Sequence, residues 1–302
     1  MRTVMYGDLN EGNTAFTCTD KPTLVMLPAL GIPSPNLYFK PLAQALTQVY
    51  NVVVVEPLGY GLSQEAVTER SVENINRELF DALEALRIDS CILLAHSISG
   101  IYGLEFVHSY PNKVRGFIAI DNTVFDEAFA EGLKAEQQYM CRAMQEVDSV
   151  RKALGGAEAF RQAVCAQPEK YGAALPKVTG YTYSTNDQKE YWTAFSRSAN
   201  PTVQDEIQNM GRALQAIKGR KFPGMLPVLV LISSDNTRMI PFWKTAHEQQ
   251  LDFSSGRHEL QIVEGGHYLW YTNLAQVAEQ ILNFDKRVRC HSTSQPKTDS
   301  EC

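Results

Sequence analysis

The segment Leu93-Leu94-Ala95-His96-Ser97-Ile98-Ser99-Gly100 joins an apolar run directly to a helix-compatible stretch through small residues. A serine placed on such a strand-to-helix turn is thrust outward on a strained backbone, where its hydroxyl can attack a carbonyl carbon. The turn is tight, so the residues two before and two after the nucleophile must be small; Ala95 and Ser99 meet that demand around Ser97. Ser99 is a poorer candidate, because Ile101 would then fill a crowded position. A serine that only caps the next helix would leave a similar local pattern. A serine hydroxyl is also a weak nucleophile and needs an imidazole to take its proton. Among the six histidines, His267 alone follows a glycine pair, in Gly265-Gly266-His267, between a strand signal and a helix signal. His96 is part of the serine turn, His108 falls late in a helix, and His247, His258 and His291 lie in polar contexts.

These residues need a scaffold that brings distant loops to one edge. Pro22 to Leu27 and Asn51 to Val55 are short apolar or β-branched runs without alternation, each leading into a Gly/Pro-rich turn. That is the pattern of strands buried on both faces of a parallel sheet. A helical stretch at Leu37 to Leu46 separates them, and Ser71 can cap a helix carrying Val72, Ile75, Leu79, Leu83 and Leu86. Strand signals at Cys91 to Leu94 and Gly116 to Ile120 flank a helix from about Ser99 to Tyr110. Strands alternating with helices imply a doubly wound α/β sheet.

The alternation stops at Asp121. From Val124 to about Phe222 no strand pattern is present, and Leu133, Met140, Met144, Val147, Val150 and Leu154 form a helical stripe. Strands resume at Pro227 to Ile232 and Leu260 to Val263, followed by a helix near Asn273 that buries Leu274, Val277, Ile281 and Phe284. The expected organisation is a core of residues 1–123 and 224–285, a helical cap at 124–223 that lies as a lid over the site, and a polar, disordered tail at 286–302.

Composition narrows the class further. The chain has 302 residues, 44% of them hydrophobic and 21% charged, and a net charge of −6, which offers no attractive field for a nucleic-acid backbone. No run approaches the ~20 apolar residues of a membrane span, and the first residues lack a signal-peptide core, so a cytoplasmic protein is expected. The six scattered cysteines read as unpaired thiols. No cofactor or metal is expected: Gly59-Tyr60-Gly61 lacks the context of a phosphate loop, and no ligand cluster of the His-Glu-x-x-His type is present.

From Pro22 to Phe284 the chain resembles the α/β-hydrolase superfamily. Leu27-Pro28-Ala29-Leu30-Gly31 stands where the family carries its oxyanion-loop His-Gly-x-Gly. Glu56-Pro57-Leu58-Gly59-Tyr60-Gly61-Leu62-Ser63 resembles its Asp-x-x-Gly-x-Gly-x-Ser turn, and Gly265-Gly266-His267 its histidine loop. The resemblance implies a triad of Ser97, a carboxylate and His267, with the acid between serine and histidine in chain order. Asp235, after the strand ending at Ile232, is the expected acid. The family spacing could equally fall on Asn236, and Asp121 is the alternative, expected chiefly as a structural residue serving the backbone of Asn122 and Thr123. The N–H groups of Ile98 and Leu30 are the expected oxyanion donors.

Family members that act on alkyl carbons use an aspartate nucleophile, whereas Ser97 suits acyl transfer. The expected substrate is a small, partly apolar ester, with Tyr181, Tyr183, Tyr191, Trp192 and Phe195 lining its pocket or packing within the cap. Aminopeptidase-like or carbon–carbon bond hydrolysis, and ligand sensing without catalysis, are the alternatives.

Overall fold

A computed structural model describes residues 1–9, 16 and 20–292 of the chain. It begins with a short strand, β1 (Arg2–Tyr6), followed by β2 (Thr23–Leu27), helix α1 (Pro35–Leu46) and β3 (Asn51–Glu56). Next come α2 (Val72–Ala85), β4 (Cys91–His96), α3 (Ser99–Ser109) and β5 (Val114–Ile120). Four longer helices then intervene without a strand: α4 (Glu127–Ala153), α5 (Ala157–Ala166), α6 (Thr185–Arg197) and α7 (Pro201–Ala216). The sheet resumes with β6 (Val228–Ser233), which runs straight into α8 (Ser234–Met239) and then α9 (Trp243–Gln249). Strand β7 (His258–Val263), α10 (Leu269–Thr272) and α11 (Leu274–Ser292) complete it.

Seven strands form one sheet in the order β1-β3-β2-β4-β5-β6-β7. Every neighbouring pair is parallel except β1 with β3. Alternate residues of the strands enter two separate cores, as the two-residue period of a strand requires. Leu24, Met26, Val52, Val54, Ile92 and Leu94 face α1 and α11. Val25, Leu27, Val53, Val55, Leu93 and Ala95 face α2 and α3. The continuous apolar runs read from the sequence are therefore strands covered on both sides. Ser71 caps α2 as expected, accepting the Asn74 N–H at 3.3 Å.

Strand β1 was not expected. Its residues are only half-buried, as suits an antiparallel edge strand, so Arg2 to Tyr6 lacks a continuous apolar signature. The expected tail from residue 286 is also shortened: α11 continues to Ser292, because buried Val288 extends the stripe of Val277, Ile281 and Phe284. The rest of that tail, 293–302, lies outside the described residues. Cys91, Cys141 and Cys165 are free thiols. Among the described residues no helix is long and apolar enough to cross a membrane.

The turn after β3 shows why its residue types are needed. Glu56 is fully buried, and its carboxylate accepts Arg2 Nη1 at 2.7 Å and the Leu62 N–H at 3.1 Å. Ser63 Oγ donates to the Glu56 carbonyl at 2.6 Å and accepts the Arg2 N–H at 2.7 Å. Gly61, at φ +53°, lies so close that a Cβ there would collide with the Glu56 carboxylate. Gly61→Ala combines left-handed strain with that clash and is expected to cost more than about 1–3 kcal/mol, the scale of backbone strain alone. Urea unfolding measures it; a variant as stable as the wild type would show that the turn relaxes freely.

Candidate active site

Strand β4 delivers Ser97 to the edge of the sheet at φ +57°, a left-handed conformation uncommon for a residue with a side chain. The backbone there is held on both sides. Ser97 N donates to the Ile120 carbonyl at 3.3 Å, and the Ser97 carbonyl accepts the N–H groups of Gly100 and Thr123, each at 2.9 Å. Ala95 and Ser99 are buried, as the steric argument requires, and Ser99 Oγ donates to the Pro28 carbonyl. Gly100 is needed because a Cβ would run into the side chain of Asn122.

The histidine loop comes to the same edge. His267 Nδ1 lies 2.7 Å from Asp121 Oδ2, so the pairing expected with Asp235 is replaced by one with Asp121. The reason is local. Ser233 ends β6 and at once caps α8, accepting the Asn236 N–H at 2.9 Å, which places Asp235 in the first turn of a helix. Its carboxylate there pairs with Arg238 at 2.5 Å and is 44% exposed. The Asp235 backbone N–H donates to the Gly265 carbonyl at 3.2 Å, and Arg238 also reaches Glu264 at 3.2 Å, beside the histidine loop.

Asp121 instead points inward from the end of β5, at φ +43° and with no exposed surface. Its Oδ1 accepts the Ser233 N–H and Trp243 Nε1, both at 2.8 Å. Its Oδ2 accepts Asn236 Nδ2 at 2.6 Å besides the His267 ring. Burial pushes the carboxyl up, but hydrogen bonds from His267, Ser233 and Trp243 together with the histidine's charge outweigh it and hold Asp121 below the usual carboxylate value. In the neutral ring, an ionised acceptor at Nδ1 assigns the proton to that nitrogen and leaves Nε2 with a lone pair.

His96, the residue before the serine, has a part that the sequence reading did not assign. Its buried ring lies 4.5 Å from the His267 ring, centroid to centroid. His96 Nε2 is 2.9 Å from the His267 carbonyl, and Nδ1 is 2.6 Å from Tyr38 Oη on α1. A carbonyl can only accept, so Nε2 carries the proton and Nδ1 accepts from the tyrosine. Burial and the neighbouring His267 hold the His96 ring well below the ordinary histidine value, in the neutral form this arrangement needs. The serine turn thus fastens the backbone of the histidine loop. The missed partners Tyr38, Trp243 and Ser233 carried no motif; Asn236 was weighed only as an acid.

Among the described residues the N–H groups of Leu30 and Ile98 have no hydrogen-bond partner, whereas the next amide, Gly31, donates to Tyr60 Oη at 3.1 Å. The aromatic set of the insertion divides by role. Trp192 and Phe195 pack with Phe160 and Val164 inside the insertion. Tyr181 and Tyr183 fasten it to α1 through Gln44 Oε1 and the Leu37 carbonyl, each at 3.0 Å. Tyr268, next to His267, stacks on Tyr271 at 5.0 Å.

Residues 22–274 match a sequence model of the alpha/beta hydrolase fold. The chain is 22% identical to a Bacillus subtilis protein named YbdG, whose name gives no activity, over 95% of this chain and 86% of that one. It is 26% identical to a 2-(acetamidomethylene)succinate hydrolase of Mesorhizobium japonicum over 42% of this chain and 46% of that one. In three dimensions it resembles a proposed epoxide hydrolase of Pseudomonas aeruginosa, with TM-score 0.63, 18% identity, and coverage of 96% and 92% of the two chains.

The buried carboxylate sets a pH-dependent prediction. A group held below its unfolded value stabilises the fold fully above that value and loses the contribution as pH falls through its own lower value. Asp121→Asn, which turns an amide toward at least one donor, is expected to cost about 1–3 kcal/mol near neutral pH. The gap from wild type should narrow in acid, where the native side chain is itself protonated. Urea unfolding across pH checks this; a gap that stays constant into acid would mean that the charge contributes nothing.

Proposed function

The chain belongs to the α/β-hydrolase fold family, and on that premise we propose that it is a serine hydrolase cleaving the ester, or a related acyl bond, of a small and partly apolar molecule. The observation that carries this reading is the Asp121–His267 pair beside the strained turn of Ser97. In the proposed mechanism His267 Nε2 takes the Ser97 proton as Oγ attacks the carbonyl carbon. Asp121 keeps the other ring proton in place and stabilises the imidazolium that forms. The free N–H groups of Leu30 and Ile98 receive the oxyanion. The imidazolium then protonates the leaving alcohol, and water, activated by the same base, hydrolyses the acyl-enzyme on Ser97.

The insertion supports the substrate class. Around Leu30, Val203 and Ile207 of α7 pack with Met140, Cys141, Met144 and Met210. A pliable, thioether-rich surface over the oxyanion loop favours apolar acyl groups of varied shape, and the insertion is proposed to act as the lid. A serine rather than an aspartate in the nucleophile's place favours acyl over alkyl carbon chemistry.

Hydrolysis of p-nitrophenyl esters of increasing chain length, together with fluorophosphonate labelling, tests the proposal. Ser97→Ala should abolish turnover and labelling while retaining the fold. Asp121→Asn should lower the rate by about 10⁴, the effect of installing the wrong histidine tautomer, while Asp235→Asn stays within about threefold of wild type, since an exposed i,i+3 ion pair contributes little. Turnover that survives Ser97→Ala removes the proposed nucleophile, and a crippled Asp235→Asn beside an active Asp121→Asn reverses the acid.

A further inference from the structure

Behind the oxyanion loop lies a buried polar cluster that the proposed mechanism does not use. Glu206, on helix α7 of the insertion, is buried to 3% exposure. Its Oε2 accepts Tyr60 O–H and its Oε1 accepts Tyr102 O–H, both at 2.9 Å. Tyr60 Oη in turn accepts the Gly31 N–H at 3.1 Å. The guanidinium of Arg70, itself fully buried and paired with Glu78, supplies opposite charge nearby. Leaving a carboxylate here is costly unless donors meet it, and both of its oxygens are met by phenols, one on α3 and one on the turn after β3.

The connectivity gives the cluster its meaning. Tyr102 lies on α3, the helix that starts immediately after Ile98, while Tyr60 holds Gly31, the residue after Leu30. One carboxylate from the insertion therefore ties the segment bearing one donor to the segment bearing the other. Elsewhere the loop is joined to the serine turn through Ser99 Oγ and the Pro28 carbonyl, a contact two residues before Leu30.

We propose that Glu206 is a positioning residue that, acting through Tyr60, orients the Leu30 N–H relative to the Ile98 N–H, so that seating of the insertion sets the oxyanion site. The proposal rests on the serine-hydrolase reading above. It requires that loss of the tether weaken stabilisation of the transition state more than substrate binding, since oxyanion contacts strengthen as charge develops on the oxygen.

The test uses the full chain and two variants. Tyr60→Phe removes only the hydroxyl; Glu206→Leu removes the carboxylate, and Tyr60→Phe remains informative should Glu206→Leu fold poorly. Tyr60→Phe is expected to lower kcat for p-nitrophenyl butyrate by about 10–100-fold, below the 10²–10³ of deleting a donor outright, with KM within about twofold. The double variant should be little worse than either single one, because both cut the same tether. Amide exchange at Gly31, read by NMR, should accelerate in Tyr60→Phe without a matching fall in global stability. Unchanged kcat in a folded Tyr60→Phe whose wild type depends on Ser97 overturns this proposal alone, as do additive losses. Wild-type turnover that does not depend on Ser97 overturns both this proposal and the reading beneath it.

Discussion

A carboxylate withdrawn from solvent keeps its charge only where donors replace the lost water, and at Asp121 separate segments of chain supply them. The end of β6 gives a backbone N–H, α8 an amide, α9 an indole and the histidine loop an imidazole. None of the four can move far without leaving the charge short of a partner. The constraint therefore runs outward from one side chain to the whole C-terminal edge of the sheet. It also sets which nitrogen of a neutral His267 ring bears the proton and which keeps its lone pair.

Much of this was legible in the residues. The strands β2, β3, β4 and β6 declared themselves because each is covered on both faces and so has no polar alternation to blur it. The serine turn was legible because its sterics demand small neighbours, and Ala95, Ser99 and Gly100 are what such a turn tolerates. The edge strand β1 was hidden by its partial exposure. The carboxylate that pairs with His267 was hidden for a different reason. Asp121 and Asp235 both follow strands, and what separates them is backbone direction: one continues at positive φ into the interior, the other enters a helix on the surface. Sequence spacing does not register that difference, because α8 starts with no intervening turn after Ser233.

Ring chemistry at the site shows how hydrogen-bond bookkeeping can assign what spacing could not. His96 was readable only as a filler of the serine turn. With a carbonyl on one nitrogen and a phenol on the other, it has a single consistent neutral form, and in that form it connects α1, the serine turn and the histidine loop. Ser97 and His267, the proposed nucleophile and base, are thus each held in place through neighbouring groups.

The bond between Asp121 and Ser233 has a consequence for how the chain can vary. It joins residues 112 positions apart, at the C-terminal ends of the two parallel strands between which the helical insertion runs. In polymer terms the insertion is a closed loop whose ends are already pinned by the parallel pairing of β5 with β6. For a flexible loop with fixed ends, closure entropy grows only logarithmically with length, about 0.6 kcal/mol for each doubling. Helices can therefore be added to or trimmed from that segment at little entropic cost to the sheet beneath, leaving the ring of donors around Asp121 intact while the surface above it changes.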